Sequence, residues 1–254
     1  MMNGFLTAVR TLTLIPLPGR HGNNFSSSLP WFPVIGLVLG FLLYLPAMIW
    51  FKWVPAEWSA GGAFMVIVLE IILTRGLHLD GLADWADALG SRADPEIRLT
   101  VMKDSRIGAF GVIALVIVLL GKWLALSKLF SDHSLQWIPL VLVISRDMMV
   151  ELITTLPYAR SDSGTASPFV RGATPRHRVI AHMMTCFGCL WFGLPGVAVF
   201  IIAWVVTRLL GMSFRKIFRG ITGDLLGTTN EILETVLLFI CALIGNLSWG
   251  YAHW

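Results

Sequence analysis

Charged side chains are scarce in this sequence. Asp, Glu, Lys and Arg make up 13% of its 254 residues, where a soluble domain carries about 25%. That shortage excludes an ordinary water-soluble domain. Cysteine is also rare, with Cys186, Cys189 and Cys241 only. Cys186 and Cys189 form a CxxC inside an apolar run with no second pair, which argues against a metal or redox centre and for small buried side chains. The N-terminus lacks the apolar core and small-residue cleavage site of a signal peptide; its short apolar run is broken by Pro16 and Pro18, so it reads as mature sequence. There is no internal repeat of the length expected for a transporter of duplicated halves, and no Ser/His/Asp set signalling nucleophilic catalysis. No stretch is long and polar enough to fold separately, so one membrane-embedded domain over 1–254 is expected, with the lipid bilayer as a partner and no nucleic acid.

What is abundant is apolar surface, 56% of residues, with 11 Trp. A helix needs about 20 apolar residues to cross the hydrocarbon core. The runs 31–51, 59–79, 108–128, 135–157 and 226–247 meet that length, and 178–213 is long enough for a hairpin broken at "GLPG", 193–196. The expected fold is therefore an all-α polytopic bundle of about seven transmembrane helices with its N-terminus cytoplasmic. In that topology the inner segments hold fifteen of the nineteen Lys and Arg residues, as the positive-inside rule requires. A single span over 178–213 would move Arg215, Lys216 and Arg219 outside. The terminal "WGYAHW", 249–254, reads as an interfacial anchor.

The unusual polar residues fall on the inner side. "HLDGLADWADALG", 78–90, carries Asp80, Asp84 and Asp87. At about 100° per residue these lie within roughly a 60° sector of a helix. Three carboxylates on one face repel unless a cation sits among them, and hard oxygen ligands suit Mg²⁺ with substrate phosphates and waters. A solvated acidic helix end is the simpler alternative, weakened by Leu82, Ala83, Trp85 and Leu89 around the acids. His78 falls on the opposite side and reads as a polar interfacial anchor. "KDSR" offers Lys103 and Arg106 as phosphate partners, with Asp104 either joining a metal shell or holding Arg106. "GITGDLLGTTNEILE" places Gly223 and Asp224 at a helix start, where backbone N–H groups suit an anion, and Glu231 about two turns further on. Glu70, Arg146, Asp147 and Glu151 stand within spans, where ionisable groups are functional candidates or neutralise one another on facing helices. The loop 158–178 is rich in Gly, Ser and Thr and basic, Asp162 being its one acid; it suits either folding over an anion or a flexible inner loop.

In their order and spacing, "GLHLDGLADWADALGSRAD", "VMKDSRIGAFG" and "GITGDLLGTTNE" resemble the cobalamin synthase family, the adenosylcobinamide-GDP ribazoletransferases. "TLIPLP", "FPVIGLVLG", "SR" at 145–146 and "YAR" at 158–160 extend the resemblance over residues 5–245. Trp85 and Ala88 depart from the pattern without removing a carboxylate. The resemblance implies a Mg²⁺-dependent transferase of the inner membrane with its site facing the cytoplasm. It would join adenosylcobinamide-GDP to α-ribazole or its 5′-phosphate and release GMP. Asp80, Asp84 and Asp87 would be its metal set and Asp104 a further catalytic acid; Lys103, Arg106, Gly223 and Asp224 would contact substrate. Asp87, deepest along the helix, is the expected proton acceptor, and a homo-oligomer is compatible with such a bundle. A CDP-alcohol phosphotransferase is the nearest rival, but it expects Arg after Ala83, where this chain has Asp84. An ion-coupled transporter is the rival of another class, but the acids crowd one face rather than the midplane.

Overall fold

The computed structural model describes residues 2–17, 25–91, 94–160 and 164–245; Pro18, Arg20, Arg92, Asp162 and the 249–254 anchor lie outside them. Among the described residues helix is the main regular structure, with no strand and one isolated bridge between Tyr158 and Ile221. In chain order come α1 (Met2–Leu12), a 3₁₀ segment (Phe25–Trp31), α2 (Phe32–Trp53), α3 (Ser59–Thr74), α4 (Leu77–Gly90), α5 (Pro95–Val101) and α6 (Ala109–Ser131). They are followed by α7 (Trp137–Thr155), α8 (Ser167–Arg171), α9 (Pro175–Trp191), α10 (Gly193–Phe218) and α11 (Gly223–Ile244).

Among the described residues four helical stretches are long and apolar enough to cross a membrane: 25–53, α6, α10 and α11; a fifth arises if α3 and α4 are taken as one broken span. The seven transmembrane spans expected from the sequence are not all found by length and composition. α7 carries Arg146, Asp147 and Glu151 within 19 residues, and α9 is only 17 residues long. α9 and α10 do form a hairpin, turning at Gly193 (φ 61°) inside the "GLPG" break. The expected continuous span 59–79 is corrected. It stops at Thr74, Arg75 and Gly76 take left-handed conformations (φ 59° and 63°), and α4 leaves at 90° to α3. A left-handed pair ends an α-helical ladder abruptly, so the aspartate helix runs across one end of the bundle instead of along it.

Close helix approach in lipid depends on small residues, because hydrocarbon gives no hydrophobic drive to associate. α2 meets α7 in this way: a Cβ at Gly36 would lie 2.3 Å from the Leu142 carbonyl oxygen, and one at Gly40 2.5 Å from Pro139 Cα. α7 is buried along its whole length from Trp137 to Ile153. It is the central rod.

The charges inside the bundle are paired. Lys122 on α6 sits among Glu70 of α3 (3.2 Å) and Glu231 (2.8 Å) and Glu234 of α11, and Glu234 also binds Arg146 of α7. The carboxylates of Glu70, Glu231 and Glu234 are close enough to share a cation, and the Lys122 ammonium is that cation. On the other side of α7, His182 of α9 bridges Asp147 (2.9 Å) and Glu151 (3.2 Å), with Arg208 of α10 3.3 Å from Glu151. Each acid thus ties two or more helices, the neutralising role open to these residues from sequence. Cys189 and Cys241 are buried, whereas Cys186 is exposed; all three are free thiols.

Candidate active site

α4 is the platform. It begins at Leu77 and lies against the first turns of α11 and α6. Its seat on α11 needs a glycine: a Cβ at Gly81 would fall 2.6 Å from the Asp224 carbonyl oxygen and 2.7 Å from its Cα. The Thr228 hydroxyl donates to the Gly81 carbonyl at 3.0 Å and fixes the crossing. Helix α11 is started by Thr222, whose hydroxyl accepts from the Leu225 N–H at 3.3 Å, an N-cap of the usual kind. Asp224 follows in the first turn and so faces α4. Just before α11, the bridge between Tyr158 and Ile221 pins the 157–160 segment: Ala159 N donates to Ile221 O at 2.8 Å and Ile221 N to Pro157 O at 2.9 Å. That register delivers Arg160, whose Nη2 donates to Asp224 Oδ2 at 2.9 Å.

Asp80 is exposed and Asp84 half-buried. The Asp84 carboxyl is pushed up to about 7 by partial burial first, then by the neighbouring carboxylates of Asp80 and Asp224, against a smaller opposing pull from Arg160. Asp84 therefore feels Asp224 on the facing helix as well as Asp80 on its own. Three carboxylates are answered by one guanidinium, and a surplus of hard oxygen donors on one wall fits a divalent cation.

Asp87 is tied to the start of α6. Its Oδ2 accepts the Gly108 N–H at 2.7 Å and its Oδ1 the Gly111 N–H at 2.9 Å. It satisfies otherwise orphaned donors at the start of α6, one N–H on each oxygen, and its charge also adds to the rise of Asp84. Asp104 and Arg106 are clamped on each other, Nη2 to Oδ2 at 2.7 Å and Nε to Oδ1 at 3.1 Å, both exposed; the hydrogen bonds from Arg106 hold Asp104 down at about 2. Lys103 is exposed beside them. None of Lys103, Asp104 and Arg106 lines the cavity described next, so the "KDSR" turn flanks the site and does not join the carboxylate group.

That cavity encloses about 1030 Å³, at the upper end for small-molecule sites. Asp80, Gly223 and Asp224 line it, with Arg10, Arg75 and His78. Arg10 reaches the Leu17 carbonyl through Nη2 at 2.6 Å. His78 is buried, and its Nδ1 lies 2.9 Å from Asn230 Nδ2. The same amide nitrogen donates to Glu234 Oε1 at 3.0 Å. Glu234 is a carboxylate held by Arg146, so the Asn230 nitrogen is fixed as a donor and His78 Nδ1 is its acceptor. His78 is thus an internal tie between α4 and α11, not the interfacial anchor expected.

Sequence reasoning missed Arg160, Arg10 and Arg75 as site residues. Arg160 stood in the "YAR" stretch, but only the bridge to Ile221 places it on Asp224. It also missed Asn230, a buried amide one turn before Glu234.

The profile of the cobalamin-5-phosphate synthase family matches residues 4–242. A protein of Chlorobaculum parvum named adenosylcobinamide-GDP ribazoletransferase is 40% identical, covering 96% of both chains. Proteins of the same name from Chlorobaculum tepidum (39%, covering 99% of this chain and 100% of its own) and Syntrophobacter fumaroxidans (38%, 95% and 99%) are also similar. No solved structure matches the chain.

Proposed function

Because the chain belongs to the cobalamin-5-phosphate synthase family, we propose that it is a membrane transferase joining adenosylcobinamide-GDP to α-ribazole, or its 5′-phosphate, with release of GMP. The observation that carries the reading is the pair Asp80 and Asp224 on a cavity of about 1030 Å³ also lined by Arg10 and Arg75, with Asp84 beside both acids and Arg160 bound to Asp224. Phosphoryl transfer between two bound substrates calls for positioning and charge neutralisation more than for covalent catalysis. The inventory of this site matches that demand.

Asp80, Asp84 and Asp224 would hold Mg²⁺, which neutralises pyrophosphate oxygens when bound. Asp224 takes the place first given to Asp87, whose oxygens cap α6. Arg75 and Arg10 stand at the cavity where the pyrophosphate would lie, and Arg160 aims Asp224 and sets a positive charge against the burial of its carboxyl. A ribose hydroxyl attacks the phosphorus nearest the cobinamide. The new P–O bond forms as the P–O bond to GMP breaks, and the hydroxyl proton passes to a carboxylate of the same wall. α4, crossing the end of the bundle where α3 stops and α6 and α11 begin, places this chemistry at the membrane surface. The charge bias of the loops supports the cytoplasmic side of an inner membrane.

The test is GMP release by purified protein in lipid, given adenosylcobinamide-GDP, α-ribazole and Mg²⁺, with each omitted in turn. Release that requires all three, with a corrin product carrying its lower ligand, is expected. Folded protein that releases no GMP would overturn the reading.

A further inference from the structure

The cavity is chemically two-sided. α4 and α11 give it carboxylates, whereas its other side is apolar and aromatic. Phe25 from the 3₁₀ segment, Phe32 at the start of α2 and Phe169 of α8 all line it. Phe169 is the hub: its ring centroid lies 5.4 Å from that of Phe25 at 74° and 6.1 Å from that of Phe32 at 65°. Edge-to-face packing of this kind holds aromatic rings in fixed orientations. Phe32 and Phe169 are only 2% and 5% exposed. The nearby hydroxyls on the cavity are already spent, Thr11 donating to Thr7 O and Thr13 to Val9 O, each at 2.8 Å. Apart from Arg10, whose guanidinium is turned to the Leu17 carbonyl, this side offers mainly rings and methyl groups.

Resting on the functional reading above, three substrate portions compete for it. A guanine carries an amide and an amino group along its edge, and burying those unpaired is costly. A corrin is fringed with amide arms that meet the same penalty. The base of a ribazole is a flat benzimidazole bearing two methyl groups, with one ring nitrogen to satisfy. It alone matches the lining.

We propose that the Phe25–Phe32–Phe169 side of the cavity is the acceptor subsite, which receives the benzimidazole of the ribazole and turns its ribose towards the aspartate wall. The two sides adjoin: a Cβ at Gly223 would lie 2.9 Å from Thr165 Oγ1, in the turn that leads into α8. The segment carrying Phe169 therefore abuts the residue before Asp224. A ribose attached to a base seated on Phe169 has a short way to the carboxylates.

The test combines direct binding with kinetics on the full chain in lipid. α-Ribazole alone, without adenosylcobinamide-GDP, is titrated against wild-type protein, Phe169→Leu and Phe25→Leu, using the benzimidazole's own fluorescence. Leucine preserves bulk and apolarity, and Phe25→Leu leaves the Phe32–Phe169 pair intact. The expected result is a Kd for α-ribazole raised about tenfold in Phe169→Leu and a matching rise in its KM, with the KM for adenosylcobinamide-GDP unchanged. Wild-type protein should also prefer α-ribazole to an α-riboside bearing adenine, and Phe169→Leu should narrow that preference. A rise confined to the KM for adenosylcobinamide-GDP, or unchanged α-ribazole binding in both variants, would overturn the subsite while leaving the transferase reading intact. Wild-type protein that releases no GMP with any acceptor would instead overturn the transferase reading.

Discussion

Gly81 and Asp224 meet backbone to backbone, so close that a methyl group on Gly81 would sit 2.7 Å from Asp224 Cα. This contact carries the acid of one helix to the acids of another. Gly81→Ala has no flexible side chain to displace, so α4 must lift from α11. Overpacking of this kind costs about 1–3 kcal/mol, and separation of Asp80 and Asp84 from Asp224 should lower kcat/KM at least about tenfold. Thermal unfolding and GMP release on the same preparation check both. Unchanged turnover would show that the crossing does not set the site.

Asp84 gives a pH dependence with a definite sign. Its folded-state pKa, about 7, lies above the ordinary carboxylate value of 3.8. Between those values the folded metal-free protein holds a proton that the unfolded chain has released. The contribution of Asp84 to stability therefore declines as pH rises from about 4 to about 7. Mg²⁺ held as proposed would compete for the same carboxylate. Activity at subsaturating Mg²⁺ should rise with pH around the folded-state value of about 7, and saturating Mg²⁺ should shift that limb downward. A pH profile at two Mg²⁺ concentrations reads this directly; a limb that ignores Mg²⁺ would contradict it.

Asp87 separates structure from chemistry. Asp87→Asn keeps an oxygen acceptor but loses the carboxylate that takes two amide N–H groups of α6. It should cost about 0.5–2 kcal/mol, the range for a lost helix cap, while leaving the Mg²⁺ concentration for half-maximal activity unchanged. Thermal unfolding with a Mg²⁺ titration of turnover decides it.

The buried charge cluster is a structural tie. Lys122→Met leaves Glu70 and Glu231 without their cation, and breaking a buried pair costs about 3–5 kcal/mol. Unfolding in detergent should shift accordingly. A loss below about 1 kcal/mol would mean that the three acids are not held by the ammonium.

The rods and the acids were legible in the sequence because hydrocarbon length and 3.6-residue periodicity are local properties. Helices α2, α6, α7, α10 and α11 begin and end near the apolar runs that announce them, and the "GLPG" turn was audible in two glycines and a proline. The 90° bend after Thr74 was only half legible: Gly76, which joins Arg75 in a left-handed conformation, is a helix-stop signal, but the direction α4 then takes depends on its packing with α11 and α6. Asp87 shows the same limit at the site. Its spacing from Asp80 and Asp84 is a face of a helix, but which carboxylate meets the cavity and which meets Gly108 and Gly111 depends on where α6 starts. Asp224 and Arg160 are far apart in sequence and join only through α11 and the Tyr158–Ile221 bridge. Lys122, inside the expected span 108–128, became intelligible only beside Glu70, Glu231 and Glu234.

Asp80, Asp84 and Asp224 are proposed to form one cation site at the edge of the substrate cavity. Mn²⁺ binding, followed by electron paramagnetic resonance in lipid, tests it without turnover, in wild-type protein and in Asp84→Asn, Asp224→Asn and Asp87→Asn. The account predicts that Asp84→Asn and Asp224→Asn each weaken Mn²⁺ at least about tenfold, the effect of losing a charged ligand, and that Asp87→Asn binds as wild type. Loss of Mn²⁺ in Asp87→Asn with retention in Asp224→Asn would contradict it.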